Sequence, residues 1–174
     1  DVSILVNGLP LVHIELKRRG VQLKEAFNQI NRYQRDSFWA GCGLYEYVQI
    51  FVISNGTNTK YYSNTTRASH IKEQETGGRN KSKKTSNSFE FSSFWADSNN
   101  KVITDLLDFT KTFFSKHTLL SILTKYCVFT SEKMLMVMRP YQIAATERII
   151  QRINIAENYK LYGSIKGGGY IWHT

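Results

Sequence analysis

The chain has 174 residues and a mass of 20.1 kDa, room for one domain or one domain with an appendage. Hydrophobic residues at 41% and aromatics at 13% exclude wholesale disorder, and no apolar run approaches the roughly 18–20 residues needed to cross a bilayer. Twenty-three Lys and Arg against 14 Asp and Glu give a net charge of +9, which favours a polyanionic partner, nucleic acid before a membrane surface. Cys42 and Cys127 are too few for a disulfide framework and sit in no zinc-like spacing, so a reducing compartment, the cytoplasm, is expected.

Asp1–Val6 and Leu11–Lys17 flank Asn7-Gly8, a strong hairpin signal. In the second run Val12, Ile14 and Leu16 fall on one face, with Leu16 expected in the core, and His13, Glu15 and Lys17 fall on the other. From Gln22 to Trp39 apolar residues repeat at three and four (Leu23, Ala26, Phe27, Ile30, Tyr33), a helix ended by Gly41 and Gly43. Val48–Ser54 and Thr59–Ser63 bracket Asn55-Gly56 as a second hairpin. Residues 63–88 read as a long polar loop, too polar to pack. It carries Arg67, Lys72, Arg79, Lys81, Lys83 and Lys84 against Glu73 and Glu75, a composition suited equally to gripping nucleic acid or to a passive surface insertion.

Phe89–Trp95 is expected to be extended, its aromatics filling the core. Lys101–Val128 reads as helix, divided by a bend near Ser115–His117. Glu132–Met138 is a short apolar stretch whose Met134, Met136 and Met138 fill core gaps. Pro140 opens a further helix, and Gly163–Gly169 bridges to a closing buried strand at 170–174. A first residue that is not Met and an apolar run without a terminator predict a piece of a longer polypeptide.

The chemistry centres on Glu15-Leu16-Lys17. On a strand, a spacing of two puts carboxylate and ammonium side by side, an arrangement costly within an apolar run unless it is exposed or used. Asp1 can bring a second carboxylate across the hairpin, and two carboxylates make a hard-oxygen site for Mg²⁺ or Mn²⁺. The lysine beside them can orient a water and neutralise phosphate charge. Register supplies a test: a plain two-residue Asn7-Gly8 loop puts Asp1 opposite Ile14, on the wrong face. Placing Asp1 opposite Glu15 requires an odd loop or a bulge. The competing reading is a solvated Glu15–Lys17 pair on a half-exposed strand. Gln29 and Tyr33, at i and i+4, share a helix face, read structurally as a rim Gln and a half-buried Tyr. Lys17-Arg18-Arg19 is a basic run beside the proposed site, where Arg18 and Arg19 can meet a DNA backbone without reading sequence. His13 reads as a neighbour of the site rather than a ligand.

Asp1, Glu15-x-Lys17 and Gln29-x-x-x-Tyr33 together resemble the nuclease domain of the restriction (motor) subunit of type I restriction–modification enzymes, within the PD-(D/E)xK nuclease superfamily. The stretches Leu9–Lys17, Glu25–Ile30 and Ile53–Gly56 carry the same likeness. Arg139-Pro140-Tyr141-Gln142 resembles the glutamine motif before the motor, and Gly167–Thr174 the strand entering its phosphate loop. The resemblance implies an α/β fold, a mixed sheet flanked by helices, with a nuclease domain over 1–130 and a connector over 131–174. It implies Mg²⁺-dependent hydrolysis of double-stranded DNA, with the metal held by Asp1, Glu15 and the Leu16 carbonyl and the attacking water assisted by Lys17. Gln29 and Tyr33 would support cleavage. Arg139, Tyr141 and Gln142 would read the adenine of ATP bound by the motor, and the sequence target would be read by partner modification and specificity subunits. The likeness also implies that the helix and strand before Asp1 and the phosphate loop after Thr174 lie outside this chain, so little cleavage is expected from it alone. Two rival readings stand beside this one. One is a non-catalytic nucleic-acid-binding or subunit-docking module with a degenerate nuclease fold; the other is a solitary repair nuclease.

Overall fold

A computed structural model describes residues 1–34, 38, 43–66 and 87–172. Its centre is a six-stranded sheet in the order β1 (Val2–Val6), β2 (Leu9–Leu16), β3 (Ile50–Ser54), β4 (Thr59–Ser63), β5 (Ser93–Ala96) and β6 (Val102–Ile103). Only β2 and β3 run parallel; the other neighbours are antiparallel. The fold is the expected mixed sheet flanked by helices. Helix α1 (Leu23–Tyr33) crosses from β2 to β3, because a parallel pair needs a long connection that returns over the sheet.

Alternation along β2 and β3 divides the core in two. Val12, Ile14, Ile50, Val52 and Tyr61 face α2 (Leu106–Phe113) and α3 (Lys116–Thr124), which contribute Phe109, Phe113, Leu119 and Ile122. On the opposite face, Phe51, Ile53 and Tyr62 pack against Ala26, Phe27 and Ile30 of α1, with Phe38 and Val48. Asp105 caps α2 by accepting from the amides of Leu107 and Asp108, and Ser115 caps α3 at Thr118. The bend predicted near Ser115 is this pair of helix ends.

The first hairpin answers the register test. Asn7 and Gly8 both take positive φ (50° and 83°), so the loop has two residues. The ladder slips between Ile4 and Leu5: Ile4 pairs with Val12 while Leu5 pairs with Pro10. Leu11 is therefore an extra residue on β2, a bulge beside Pro10. Beyond the slip Val2 faces Ile14, and continuing by one residue sets Asp1 across from Glu15, on the required face.

Several expectations are corrected. Leu16 lies on the predicted side of β2 but is 37% exposed, since the strand runs past the cover of α2 and α3 there. Lys101–Val128 is not helical throughout; Val102–Ile103 pairs with β5, and Cys127–Phe129 (β7) pairs with Leu135–Val137 (β8) in a separate hairpin. β-branched residues at these ends follow strand propensity once a partner strand is alongside. Phe89–Phe91 forms a 3₁₀ turn before β5 rather than extended chain. Residues 170–172 form no strand among the described residues, and Trp172 is 84% exposed. Apolar composition makes a strand only where an edge is offered for pairing.

Residues 67–86 of the predicted polar loop lie outside the described residues, as do 35–37 and 39–42, where the predicted end of the first helix and Gly41 fall. The roots of the loop contradict the expectation that it is too polar to pack. Asn64, Thr66 and Asn87 are buried. Asn87 Nδ2 donates to Gln34 Oε1 (2.9 Å), Gln34 Nε2 donates to Asn64 Oδ1 (3.0 Å), and Asn64 Nδ2 donates to the Val48 carbonyl (3.0 Å). Side-chain amides can be buried when each donor and acceptor finds a partner.

Helix α4 (Pro140–Asn158) begins on Pro140 as predicted. It buries no residue; Ile149, Ile150 and Ile153 are half exposed. Its start is tied to the sheet by the Tyr61 hydroxyl, which donates to the Met138 carbonyl (2.9 Å), and Glu147 accepts from Tyr126 (2.7 Å) and Lys125 (3.1 Å). No helix among the described residues is long and apolar enough to cross a membrane.

Candidate active site

The end of β2 is held by its neighbours before any side chain acts. Lys17 N–H donates to the Ser54 carbonyl (2.8 Å), extending the β2–β3 ladder past Leu16. Asn55, at the turn after β3, accepts from the amides of Thr57 (3.2 Å) and Asn58 (2.8 Å) and donates to the Val21 carbonyl (2.7 Å). That last bond joins the hairpin turn to the segment entering α1. Strand end and helix start are thus fixed relative to each other.

On this frame Glu15 is fully buried, at 0% exposure, which removes the reading of a solvated pair on a half-exposed strand. Lys17 Nζ donates to Glu15 Oε1 (2.6 Å) and also to Gln29 Oε1. Gln29 Nε2 donates to the Tyr33 hydroxyl. The chain of contacts needs an amide at position 29. Its oxygen takes the lysine without competing for charge as a second carboxylate would, and its nitrogen can donate to Tyr33. The lysine keeps a path to solvent, with its side chain 20% exposed.

The other carboxylate oxygen, Glu15 Oε2, is buried without a hydrogen-bond partner among the described residues, as are His13 Nε2 and the Tyr62 hydroxyl. His13 Nε2 stands 4.0 Å from Glu15 Oε2, beyond hydrogen-bond range. Burial pulls the His13 pKa down to about 4, and burial pushes the Tyr62 phenol well above its usual value, with Glu15 adding to the rise. Glu15 Oε2 therefore faces neutral groups on this side.

Asp1 occupies the register position opposite Glu15 but is exposed, and its carboxylate makes no hydrogen bond or ion pair among the described residues. No group of three or more His, Cys, Asp and Glu side chains is gathered among the described residues. The structure thus brings Glu15, Lys17, Gln29 and Tyr33 together and leaves Asp1 adjacent.

Arg18, Lys17 and Gln29 line an open cleft of about 450 Å³ with Glu25, Asn28 and Arg32 of α1. Arg19 turns the other way, its side chain lying over Gly56. Asn28 and Arg32 escaped sequence reasoning, although they stand four apart on the helix that carries Gln29. Arg139, Tyr141 and Gln142 are exposed at the start of α4, far along the chain from Glu15. There the Arg139 amide donates to Gln142 Oε1 (2.8 Å), so the glutamine caps its own helix.

A mixed sheet whose second strand carries a buried Glu15 beside Lys17, followed by a crossover helix presenting Gln29 and Tyr33, is consistent with a nuclease-like α+β fold. Residues 1–70 match the family described as Type I restriction enzyme R protein N terminus. Over 153 residues, 88% of the chain, it is 56% identical to the type I restriction enzyme EcoprrI endonuclease subunit of Escherichia coli. Over its whole length it is 37% identical to the SauCOLORF180P endonuclease subunit of Staphylococcus aureus strain COL, and 38% identical to the SsaAORF53P endonuclease subunit of Staphylococcus saprophyticus. The chain spans 44%, 16% and 16% of these relatives' own lengths.

Proposed function

We propose that this chain is the nuclease region of a type I restriction enzyme's R subunit, hydrolysing phosphodiester bonds of double-stranded DNA with Mg²⁺. The observation that carries the reading is a fully buried carboxylate with one oxygen on Lys17 and the other without a partner. Burying an unsatisfied anion is costly, and a divalent cation relieves that cost. Glu15 Oε2 would hold it, with Asp1 and the Leu16 carbonyl as the further oxygen donors the hairpin can supply; a hard-oxygen set of this kind fits Mg²⁺. Bound there, the cation would lower the pKa of a coordinated water and offset charge on the phosphoryl oxygens.

The chain's own residues do the remainder. Lys17, anchored by Glu15 and Gln29, can point a proton donor at a water or a phosphate oxygen from a position shared with the cleft. Gln29 keeps the ammonium in place and Tyr33 keeps the amide in its orientation. Arg18 and Arg32 flank the cleft and suit sequence-neutral phosphate contact. Sequence recognition then falls to modification and specificity subunits, and Arg139, Tyr141 and Gln142 serve ATP at the motor.

The test uses the full-length R protein assembled with its partners. Glu15→Ala or Lys17→Ala should abolish cleavage of a plasmid carrying the recognition site while ATP turnover continues; loss of both activities would contradict this division of labour. A docking module with a degenerate nuclease fold draws support from the lack of a three-residue acidic or histidine cluster among the described residues. It predicts no cleavage by the unmodified enzyme and no divalent-cation binding that depends on Glu15.

A further inference from the structure

We propose that His13 Nε2 is a ligand beside Glu15 Oε2 in the cation site, making that site a mixed nitrogen–oxygen one that favours Mn²⁺ over Mg²⁺. The inference rests on the nuclease reading and adds a ligand to it. His13 sits on β2 two residues before Glu15, on the same face, and is 4% exposed. Four aromatic rings stand nearly perpendicular to the imidazole: Phe38 at 5.1 Å between centroids, Tyr45 at 6.0 Å, Tyr33 at 6.4 Å and Phe51 at 6.5 Å. They hold the ring in one orientation yet give Nε2 no hydrogen bond among the described residues.

The other ring nitrogen is engaged. Ser3 Oγ, on the paired position of β1, lies 3.2 Å from Nδ1. A serine hydroxyl can accept from Nδ1–H, which leaves the lone pair on Nε2, the arrangement by which metal-binding imidazoles are oriented. That lone pair faces Glu15 Oε2 across 4.0 Å, about twice the ~2.1 Å reach from a small divalent cation to nitrogen or oxygen. With the proton on Nδ1, His13 Nε2 and Glu15 Oε2 are two buried lone-pair atoms 4.0 Å apart, and such a pair calls for a positive centre. Lys17 cannot supply it, since its ammonium is on Oε1. An imidazole nitrogen raises affinity along the Irving–Williams order, so Mn²⁺ gains and Mg²⁺, which prefers oxygen, does not.

The probe is Mn²⁺ added to the full-length R protein, read by pulsed electron paramagnetic resonance and by binding isotherms. The expected result is Mn²⁺ binding abolished by Glu15→Gln and a nitrogen coupling on the bound ion. His13→Asn should remove that coupling and weaken Mn²⁺ binding by about tenfold or more, with Mg²⁺ binding changed less. Should that variant fail to fold, Ser3→Ala, which removes the Nδ1 partner, is expected to shift the nitrogen coupling while the ion stays bound. Glu15-dependent Mn²⁺ binding without nitrogen coupling, or with a coupling that persists in His13→Asn, would overturn the ligand assignment and leave the nuclease reading standing. Absence of any Glu15-dependent Mn²⁺ binding would overturn both.

Discussion

The two faces of the sheet use the same strands for opposite ends. Toward α2 and α3, β2 and β3 present apolar side chains to a continuous aromatic cluster, and the one buried hydroxyl at the end of β3, Ser54, is paired with Thr59. In that cluster Phe113 touches Tyr61, Trp95, Phe109 and Phe114 at centroid distances of 4.5–5.4 Å. Toward α1 the alternate residues of the same sheet include His13, Glu15 and Tyr62, each with a buried polar atom lacking a hydrogen-bond partner among the described residues. The first face follows the rules for stability, and the second breaks one of them at three neighbouring positions. Buried polar groups without partners are exceptions that call for an explanation, and the proposed function supplies one on the α1 face.

The largest expected effect breaks that contrast or upholds it. Glu15→Leu combined with Lys17→Met replaces the whole pair by apolar side chains of similar size. It should abolish DNA cleavage by the assembled enzyme while leaving the urea unfolding midpoint unchanged or raised, because replacing a buried ion pair outright is often neutral. A midpoint that falls sharply would make the pair structural and erase the difference between the faces.

On the other face, Phe113→Ala should cost about 3–5 kcal/mol of stability with cation binding retained in the folded fraction, measured by denaturation followed through tryptophan fluorescence. Tyr33→Phe sharpens the picture of the relay. Losing one hydrogen bond to Gln29 should slow cleavage by roughly fivefold in single-turnover assays and lower the stability by no more than about 1 kcal/mol. The smallest effect lies outside both faces, at α4. Hydrogen bonds from Tyr126 and Lys125 hold the Glu147 carboxyl below its usual range. A depressed carboxyl stabilises the fold above its unfolded pKa and stops doing so as pH falls through its folded one. Glu147→Gln should therefore flatten a shallow loss of stability below about pH 4.5 and change nothing near neutrality. The group is exposed, so the difference should be slight in thermal melts compared across that range.

How far the site was legible depended on whether its determinants were local. Alternation along residues 11–17 placed Glu15 and Lys17 on one face, and helical spacing placed Gln29 with Tyr33; both periodicities are properties of backbone geometry. Parity alone required a bulge or an odd loop in the first hairpin, and the bulge at Leu11 is there. The burial of Glu15 was not legible, because a Glu-x-Lys on a strand is equally at home in water. Nor was the cage around His13, whose rings come from residues 33, 38, 45 and 51 in separate segments. The strands at 102–103 and 127–129 were not legible, because their neighbours are good helix formers and their partners are distant or across a turn.

Taken alone, the order of amino acids settled the two-residue alternation along β2, the three-to-four repeat of α1, the positions of the turns at Asn7-Gly8 and Asn55-Gly56, the bend near Ser115 and the helix start at Pro140. Only the tertiary structure decided which charges lose their water. Desolvation depends on what packs overhead, and the residues that cover Glu15 and His13 come from α1, β3 and the turn after residue 43, brought there by a crossover that no local pattern encodes.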